Sequence, residues 1–241
     1  MSGTLGPMNG AAMLALQEID SALDAIGHRR PRLPELAAHQ AAAASLQAAQ
    51  RQRAAVVQRI EAAQAAIEAA EAAAHDLTAR RTRLEAQLKT VIAPREAEAL
   101  MNQIAGLNAQ RSDLDDQELA ALDQQGEAEA ELAALATQEP ALVAAAEEAA
   151  AALAATNAAL DEEAASLRAR REAAAATLSA ADHAAYDHAR KQHGGVAVAH
   201  LEGHRCTGCH LDLSPAEMDT VKAVPVGDAA ECPQCARFLV R

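Results

Sequence analysis

Aromatic side chains, which build most ordinary protein cores, are almost absent from this sequence: it has no Trp, one Tyr and one Phe among 241 residues. Hydrophobic residues still make up 51% of the chain, but most of them are alanine, which has little side-chain area to bury. Since burial gains about 0.8 kcal/mol per methylene, such a chain cannot form an ordinary globular core of this size. Its heavy use of Ala, Glu, Gln, Leu and Arg is typical of long helices.

The sequence also lacks a membrane-spanning run, a secretory leader and an excess of positive charge. A bilayer crossing needs about 18 or more apolar residues, and no stretch of that length is free of charged residues or glutamine. The first residues place no basic segment ahead of an apolar one, so we expect no signal peptide. The net charge of -13 disfavours general binding to nucleic acid or to anionic membranes. We therefore predict a cytoplasmic protein whose partners are other proteins.

Seven-residue periodicity is the main pattern that the chain does have. Helix-forming residues dominate most of its length, and large apolar side chains recur in three separate runs. These runs are Leu77, Leu84 and Val91; Leu100, Leu107 and Leu114; and Leu153, Leu160 and Leu167. Heptad repeats flanked by charged residues predict a coiled coil.

Proline and glycine residues divide this helical part. Gly27 and Pro34 predict a kink near residues 27–34. Pro94, followed closely by two glutamates, predicts a turn near residues 91–94 and the start of a new helix. Because the helical segments on the two sides of that turn are about equal in length, we predict that they pair with each other.

The predicted fold is mostly α, with a long antiparallel coiled-coil helical hairpin over residues 9–193. Residues 1–8 are predicted to be a disordered lead-in, and Pro140 is predicted to bend or locally break the second arm. A parallel homodimer and a compact three-helix bundle are the alternatives. The sequence leaves the oligomeric state open, a monomer included.

All the cysteines of the chain lie near its C-terminal end, in two Cys-x-x-Cys pairs separated by 22 residues. These residues are Cys206, Cys209, Cys232 and Cys235. Each pair can direct two thiolates at one ion, and two pairs complete a tetrahedral shell. In a cytoplasmic protein this spacing predicts one structural Zn²⁺ in a small β zinc ribbon over residues 194–241, with iron or dithiol redox chemistry as the alternatives. His204 and His210 flank the first pair, but four cysteines already fill the shell, so we expect neither histidine to bind the metal.

Residues in and before the cysteine region also follow a pattern shared by a group of bacterial proteins. They are Tyr186, Gly195, Cys206, Gly208, Cys209, Leu213, Cys232, Cys235 and Arg237. The segments RRPRLPE and REAEALMNQIAGL are similar to the kink and post-turn segments of the same group. The chain thus resembles the bacterial coiled-coil proteins with a C-terminal C4-type zinc ribbon. It departs from their pattern at Ala236, where they have glycine, and at Val240, where they have an aromatic residue.

The resemblance implies a non-enzymatic scaffold or chaperone. Some members of the family are associated with flagellar or type III secretion assembly, with an alternative sigma factor, or with RNA. The residues of this chain agree with a non-enzymatic role, because they contain no catalytic triad, phosphate-binding loop or metalloprotease motif. We therefore predict no catalytic residues and no enzyme activity.

The charge of the cysteine region bears on which partner is bound. From His200 onward the chain carries four basic and six acidic residues and one aromatic residue, which disfavours RNA binding. We predict a zinc-binding coiled-coil adaptor for protein partners. The alternative is a nucleic-acid-associated zinc-ribbon protein, which would use the arginine-rich segments at residues 51–59 and 168–171.

Overall fold

The computed structural model describes residues 8–241, which form five α-helices and a four-stranded sheet. The helices are α1 (Gly10–Arg29), α2 (Pro34–Leu88), α3 (Pro94–Ala175), α4 (Ala180–Gln192) and α5 (Pro215–Lys222), with a 3-10 turn (Arg30–Arg32) between α1 and α2. The strands are β1 (Val198–Glu202), β2 (Arg205–Cys206), β3 (Ala230–Glu231) and β4 (Phe238–Val240). The protein is therefore mostly helical, with a long helical hairpin and a small C-terminal sheet, which confirms the predicted fold class.

Prolines and capping residues set the helix boundaries. Pro34 and Pro94 are the first residues of α2 and α3. At this position an N–H group would have no partner within the helix, so proline, which lacks one, is well tolerated. The side chains of Asn9 and Ser179 accept hydrogen bonds from the first turns of α1 and α4. These caps satisfy backbone donors that have no partner within the helix.

The chain divides into two compact units, the first of which we call the hairpin unit. It comprises residues 38–150, which belong to α2, the connection and α3. Polar contacts show that the two helices run antiparallel: Thr78 accepts a hydrogen bond from Arg111 at 2.9 Å, and Arg59 pairs with Glu131 at 2.6 Å. The seam between them is lined mainly by small side chains. Its buried residues are Val56, Ala63, Ile67, Ala70, Ala74, Ala121 and Ala128.

The second unit, which we call the base unit, contains the described residues up to Ala37 together with Ala151–Arg241. In one part of its core, Ile19 and Ile26 of α1 pack against Leu160 and Leu167 of α3. These are large side chains at helical spacing, so α1 buries one continuous apolar face here.

The sheet of the base unit has the strand order β2-β1-β4-β3. β1 pairs with β4 in parallel, and the two outer pairs are antiparallel. Its residues Val198 and Phe238 share a core with Leu16 of α1 and Tyr186 of α4. One face of the ribbon therefore packs against helices of the base unit.

The start of the described chain also belongs to this core. The predicted lead-in lies outside the described residues except for Met8, which is 5% exposed. The carbonyl of Met8 accepts a hydrogen bond from Ala229 at 2.9 Å, and Ala11 donates to the carbonyl of Gly227 at 3.1 Å. A Cβ atom on Gly10 would lie 2.8 Å from the Ala229 nitrogen, so only glycine permits this close approach.

α3 continues through Pro140 without the local break that was one of the two predicted effects of this proline. A proline removes one hydrogen bond from the helix ladder, at a cost of about 3 kcal/mol. None of the helices in residues 8–241 combines the length and the apolar character that a bilayer crossing requires.

Candidate metal centre

The four cysteines predicted to bind metal converge in the ribbon. The sulfur atoms of Cys206, Cys209, Cys232 and Cys235 all lie within 4.8 Å of one another. The first pair begins at the last residue of β2, and the second pair lies between β3 and β4. Two segments far apart in the sequence thus supply two thiols each to one cluster.

The geometry and chemistry of the cluster fit a Zn²⁺ ion. Zn–S bonds of about 2.3 Å in a tetrahedron place the sulfur atoms about 3.8 Å apart, which is compatible with the observed limit. Cys206 and Cys232 are buried, whereas Cys209 and Cys235 are half-buried, and none of the four forms a disulfide. A four-sulfur shell would leave the ion no open position for a substrate.

The two Cys-x-x-Cys turns have the same backbone hydrogen bonds. In the first turn Cys206 donates to the carbonyl of Leu211 at 3.1 Å, and His210 donates to the carbonyl of Cys206 at 2.8 Å. In the second turn Cys232 donates to Arg237 and Ala236 donates to Cys232, both at 2.8 Å. The two turns are therefore equivalent halves of the site.

The residue that follows each second cysteine adopts a left-handed backbone conformation. The φ angle is 60° at His210 and 59° at Ala236. This conformation costs a residue with a Cβ atom about 1–2 kcal/mol, and glycine avoids that cost. Ala236 is one of the two positions where the sequence departs from the zinc-ribbon pattern, so the chain retains the turn there at a cost in strain.

Burial affects the ionisation of the thiols. It raises the pKa of Cys232 to about 12, and it also raises the pKa of Cys209 above its ordinary value. Burial opposes ionisation of Cys235 as well, but hydrogen bonds from the backbone and side chain of Arg237 lower its pKa overall. Because a metal binds the thiolate, loading the site must release protons from the buried thiols.

Gly208, inside the first turn, is required by packing. A Cβ atom there would lie 2.7 Å from Cδ of Arg237 and 3.0 Å from Cβ of Ala199. Arg237 occupies this position because its guanidinium donates to the carbonyls of Val196 at 3.0 Å and His193 at 3.3 Å. The first turn therefore packs against a side chain that follows the second turn.

A short helix supports the cluster from the side. The Ser214 side chain caps α5 and forms a capping box with Glu217. The other oxygen of the Glu217 carboxylate accepts a hydrogen bond from Gln234, within the second Cys-x-x-Cys turn, at 2.6 Å. Met218 and Val221 of α5 are buried in the same core as the cysteines. We did not predict this helix from the sequence, although the letters SPAE give a capping-box signal.

The histidines beside the first turn lie outside the cluster that the four cysteines form. The ring of His204 faces Asp212 at 3.8 Å, and both side chains are largely exposed. His210 supplies its backbone carbonyl, which accepts a hydrogen bond from Arg205 at 2.9 Å.

A polar anchor between α1 and the ribbon was missed by the sequence analysis. The Gln17 side chain, 5% exposed, accepts a hydrogen bond from the Ala197 nitrogen at 2.6 Å and donates to the Gly195 carbonyl at 2.8 Å. One side-chain amide thus pairs with the backbone that leads into β1. Gln17 is followed by Glu18 in the sequence, so no local signal marked it as a buried residue.

A buried carboxylate lies one helical turn further along α1. Asp20, 2% exposed, accepts hydrogen bonds from Arg171 at 2.6 and 3.2 Å and from the Tyr186 hydroxyl at 2.8 Å. Arg190 approaches the same carboxylate at 3.5 Å. Burial, together with the hydrogen bond to Asp20, raises the pKa of Tyr186 above its ordinary value. Asp20 thus ties α1 to the end of α3 and to α4.

Known proteins are similar to this chain over almost its whole length. Rv2229c of Mycobacterium tuberculosis is 26% identical, and the match covers 95% of this chain and 94% of that protein. A solved structure from Mycobacterium smegmatis has a TM-score of 0.78 at 21% identity, covering 98% of this chain and 99% of the other. CT398 from Chlamydia trachomatis has a TM-score of 0.76 at 23% identity, with 95% of each chain covered. These two structures are similar to this chain in fold.

A family model described as the CT398-like coiled coil hairpin domain matches residues 16–194. That range begins within α1, includes all of α2, α3 and α4, and ends before β1. The protein therefore belongs to the CT398-like coiled coil hairpin domain family.

Proposed function

We propose that this protein is a non-enzymatic adaptor that binds partner proteins in the cytoplasm through its helical hairpin. In this proposal one Zn²⁺, held by the four cysteines as a C4-type zinc ribbon, stabilises the base unit. A coiled-coil hairpin fold supports a scaffold role of this kind. The fold by itself names no partner.

The observation that carries the proposal is the exposure of large apolar side chains on the hairpin unit. Ile92, in the connection between α2 and α3, is 96% exposed. On α3, Met101 is 52% exposed, Leu119 61% and Leu122 45%. Leu119 and Leu122 are three residues apart, so they lie on the same helix face. Adjacent apolar side chains that the described chain does not cover are typical of protein interaction surfaces.

The cysteines have a structural role in this proposal. When bound, Zn²⁺ cross-links the two Cys-x-x-Cys turns, and its binding free energy adds to the folding free energy of the ribbon. The chain's own residues position the thiols: the β-strands bring the turns together, and α5 buries Cys206 and Cys232. Because Val198 and Phe238 pack with α1 and α4, a stable ribbon also stabilises the helices of the base unit.

Three of the six arginines that a nucleic-acid role would use are paired with acidic residues. Arg59 lies 2.6 Å from Glu131, and Arg53 lies 3.9 Å from Glu139. Arg171 is bound to the buried Asp20. Their positive charge is therefore compensated locally, which weakens attraction to phosphates.

The test is crosslinked capture from the native cytosol with and without nuclease. Wild type is compared with Ile92→Gln, which removes the exposed apolar side chain, and with Cys206→Ser, which removes one thiol. Ala86→Gln is the matched control, because Ala86 is an exposed position on α2. We expect protein partners that resist nuclease, that are reduced by Ile92→Gln, and that are retained by Ala86→Gln.

The Cys206→Ser arm separates the role of the zinc from that of the hairpin. We expect this variant to lose bound zinc and to unfold in the base unit. If nuclease treatment removed the proteins that wild type captures, the adaptor role would be contradicted. It would instead favour association with nucleic acid.

A further inference from the structure

The hairpin unit has an uneven distribution of charge along its length. Residues 78–111, which we call the tip segment, contain six Arg and Lys residues and three Glu residues. The next part of α3, residues 112–150, contains eleven acidic residues and neither Arg nor Lys. The tip segment is therefore a basic region in a chain whose net charge is -13.

A groove runs between α2 and α3 within the tip segment and encloses about 460 Å³. Its apolar lining comes from the half-buried side chains of Leu84 and Leu107. Arg80 and Arg83 lie at its edge together with three glutamine side chains, and no carboxylate lines it among the described residues. The groove is thus apolar inside and cationic at the rim.

Gly106 of α3 lines this groove and has no side chain that would project into it. A Cβ atom at Gly106 would meet nothing within 4 Å, so packing inside the hairpin unit does not require glycine there. Glycine within a helix is destabilising relative to alanine, and one use of it is to let another backbone or ligand approach closely.

The arginines at the rim differ in how far their charge is compensated. Arg80 forms an ion pair with Asp76 of its own helix at 2.7 Å. For Arg83, the described residues offer no carboxylate within 4.0 Å. Arg83 therefore presents a positive charge at the groove that a bound ligand can neutralise.

We propose that this groove binds an acidic amphipathic helix of a partner protein. The proposal rests on the adaptor function and assigns that function a site and a partner chemistry. Apolar side chains of the partner helix would contact Leu84 and Leu107, with its backbone close to Gly106. Its carboxylates would face Arg83 and Arg80, as in other helix-in-groove complexes with charged rims.

Two features favour a helix over a nucleic acid as the occupant. The groove has an apolar interior, which a phosphate backbone cannot use. The aromatic side chains on which unpaired bases would stack are missing, since Tyr186 and Phe238 are both buried in the base unit. The acidic residues 112–150 repel acidic helices and nucleic acids alike, so they would confine the acidic partner helix to the tip segment.

The test measures fluorescence anisotropy of the full-length protein with a labelled peptide that repeats the heptad ELAELEA. The comparison peptide carries lysine in place of every glutamate. We expect the acidic peptide to bind and the lysine peptide not to bind. Binding should weaken at higher salt, because exposed charges are screened.

Two groove variants and one control identify the site. Arg83→Glu reverses a rim charge and Gly106→Leu fills the wall, and each should weaken binding at least about tenfold. The double variant Gln47→Glu with Gln50→Glu makes the same change in net charge at exposed positions outside the tip segment, and should change binding less than about twofold. Circular dichroism melting of each variant confirms that the helices remain folded.

Several results would overturn the proposal. They are absent binding of the acidic peptide, equal binding of the lysine peptide, and equal effects of the groove and control variants. Groove-dependent binding of single-stranded oligothymidylate instead of the peptide would assign the groove to nucleic acid. Groove-dependent self-association in sedimentation velocity would assign it to a second copy.

The same variants distinguish failure of this proposal from failure of the adaptor function. Cellular partners that depend on Ile92 but not on Arg83 or Gly106 would leave the adaptor role intact and reject the groove. Peptide binding without any nuclease-resistant partner in cells would reject the adaptor role instead.

Discussion

Replacing Asp20 by asparagine removes one buried negative charge while keeping the shape of the side chain. In the wild type this carboxylate is 2% exposed and accepts three hydrogen bonds, two from Arg171 and one from Tyr186. Asparagine offers a single acceptor oxygen, and its amide group would face N–H and O–H donors. At least one donor would therefore lose its partner, and two arginines would lose an opposing charge.

The expected loss of stability follows from the burial of these groups. Breaking a fully buried ion pair costs about 3–5 kcal/mol. Here the side chains of Arg171 and Arg190 are 29% and 26% exposed, and they keep contacts to Asp187 and Asp24. These features reduce the penalty, and we expect the free energy of unfolding of the base unit to fall by about 2–4 kcal/mol.

Urea unfolding of the zinc-loaded protein measures this loss. Tyr186 is the only tyrosine and the chain has no tryptophan, so tyrosine fluorescence reports the base unit alone. Circular dichroism at 222 nm follows all helices in parallel. The matched control is Asp161→Asn, because Asp161 pairs with Arg30 at the surface and is 69% exposed.

We expect the control substitution to cost less than about 1 kcal/mol, as exposed ion pairs do. Equal and small losses for the two variants would refute the reasoning. They would show that the buried carboxylate contributes no more than a surface pair.

Three further predictions concern the ribbon and the buried tyrosine. Ala236→Gly should stabilise the zinc-loaded protein by about 0.5–1 kcal/mol in thermal unfolding, because glycine relieves the left-handed strain; unchanged or lower stability would contradict the strain. Ser214→Ala should destabilise the zinc-loaded protein by about 1 kcal/mol through loss of the α5 cap, and should speed zinc transfer to a chelator. An unchanged transfer rate would show that α5 does not stabilise the metal centre. Since the pKa of Tyr186 is raised in the folded state, stability should be fully present below about pH 10 and should fall above it, with phenolate absorbance at 295 nm appearing only on unfolding. Phenolate absorbance in a protein that is still folded would contradict the burial.

The parts of the fold that could be predicted are those set by local sequence. The alanine-rich composition and the heptad runs predicted long helices, and Pro34 and Pro94 lie at the starts of α2 and α3. The spacing of the cysteines predicted which four thiols would converge, because a Cys-x-x-Cys turn is a local structure that needs only a second copy to complete the cluster.

The features that were missed depend on contacts between distant residues. Gln17 contacts a backbone 178 residues away, and Asp20 contacts Arg171 across 151 residues. Nothing in the neighbourhood of these residues in the sequence distinguishes them from exposed polar positions of a helix. The packing at Gly208 likewise depends on a distant residue, because a Cβ atom there would lie 2.7 Å from Cδ of Arg237.

Photocrosslinking in cells is the measurement that tests the adaptor role most directly. A photoreactive residue is placed at Ile92 on the hairpin unit, and a second one at Val226 on the ribbon, since both positions are highly exposed. We predict that Ile92 gives discrete protein adducts that persist after nuclease treatment. Adducts to nucleic acid alone, or an absence of protein adducts at both positions, would contradict the proposed function.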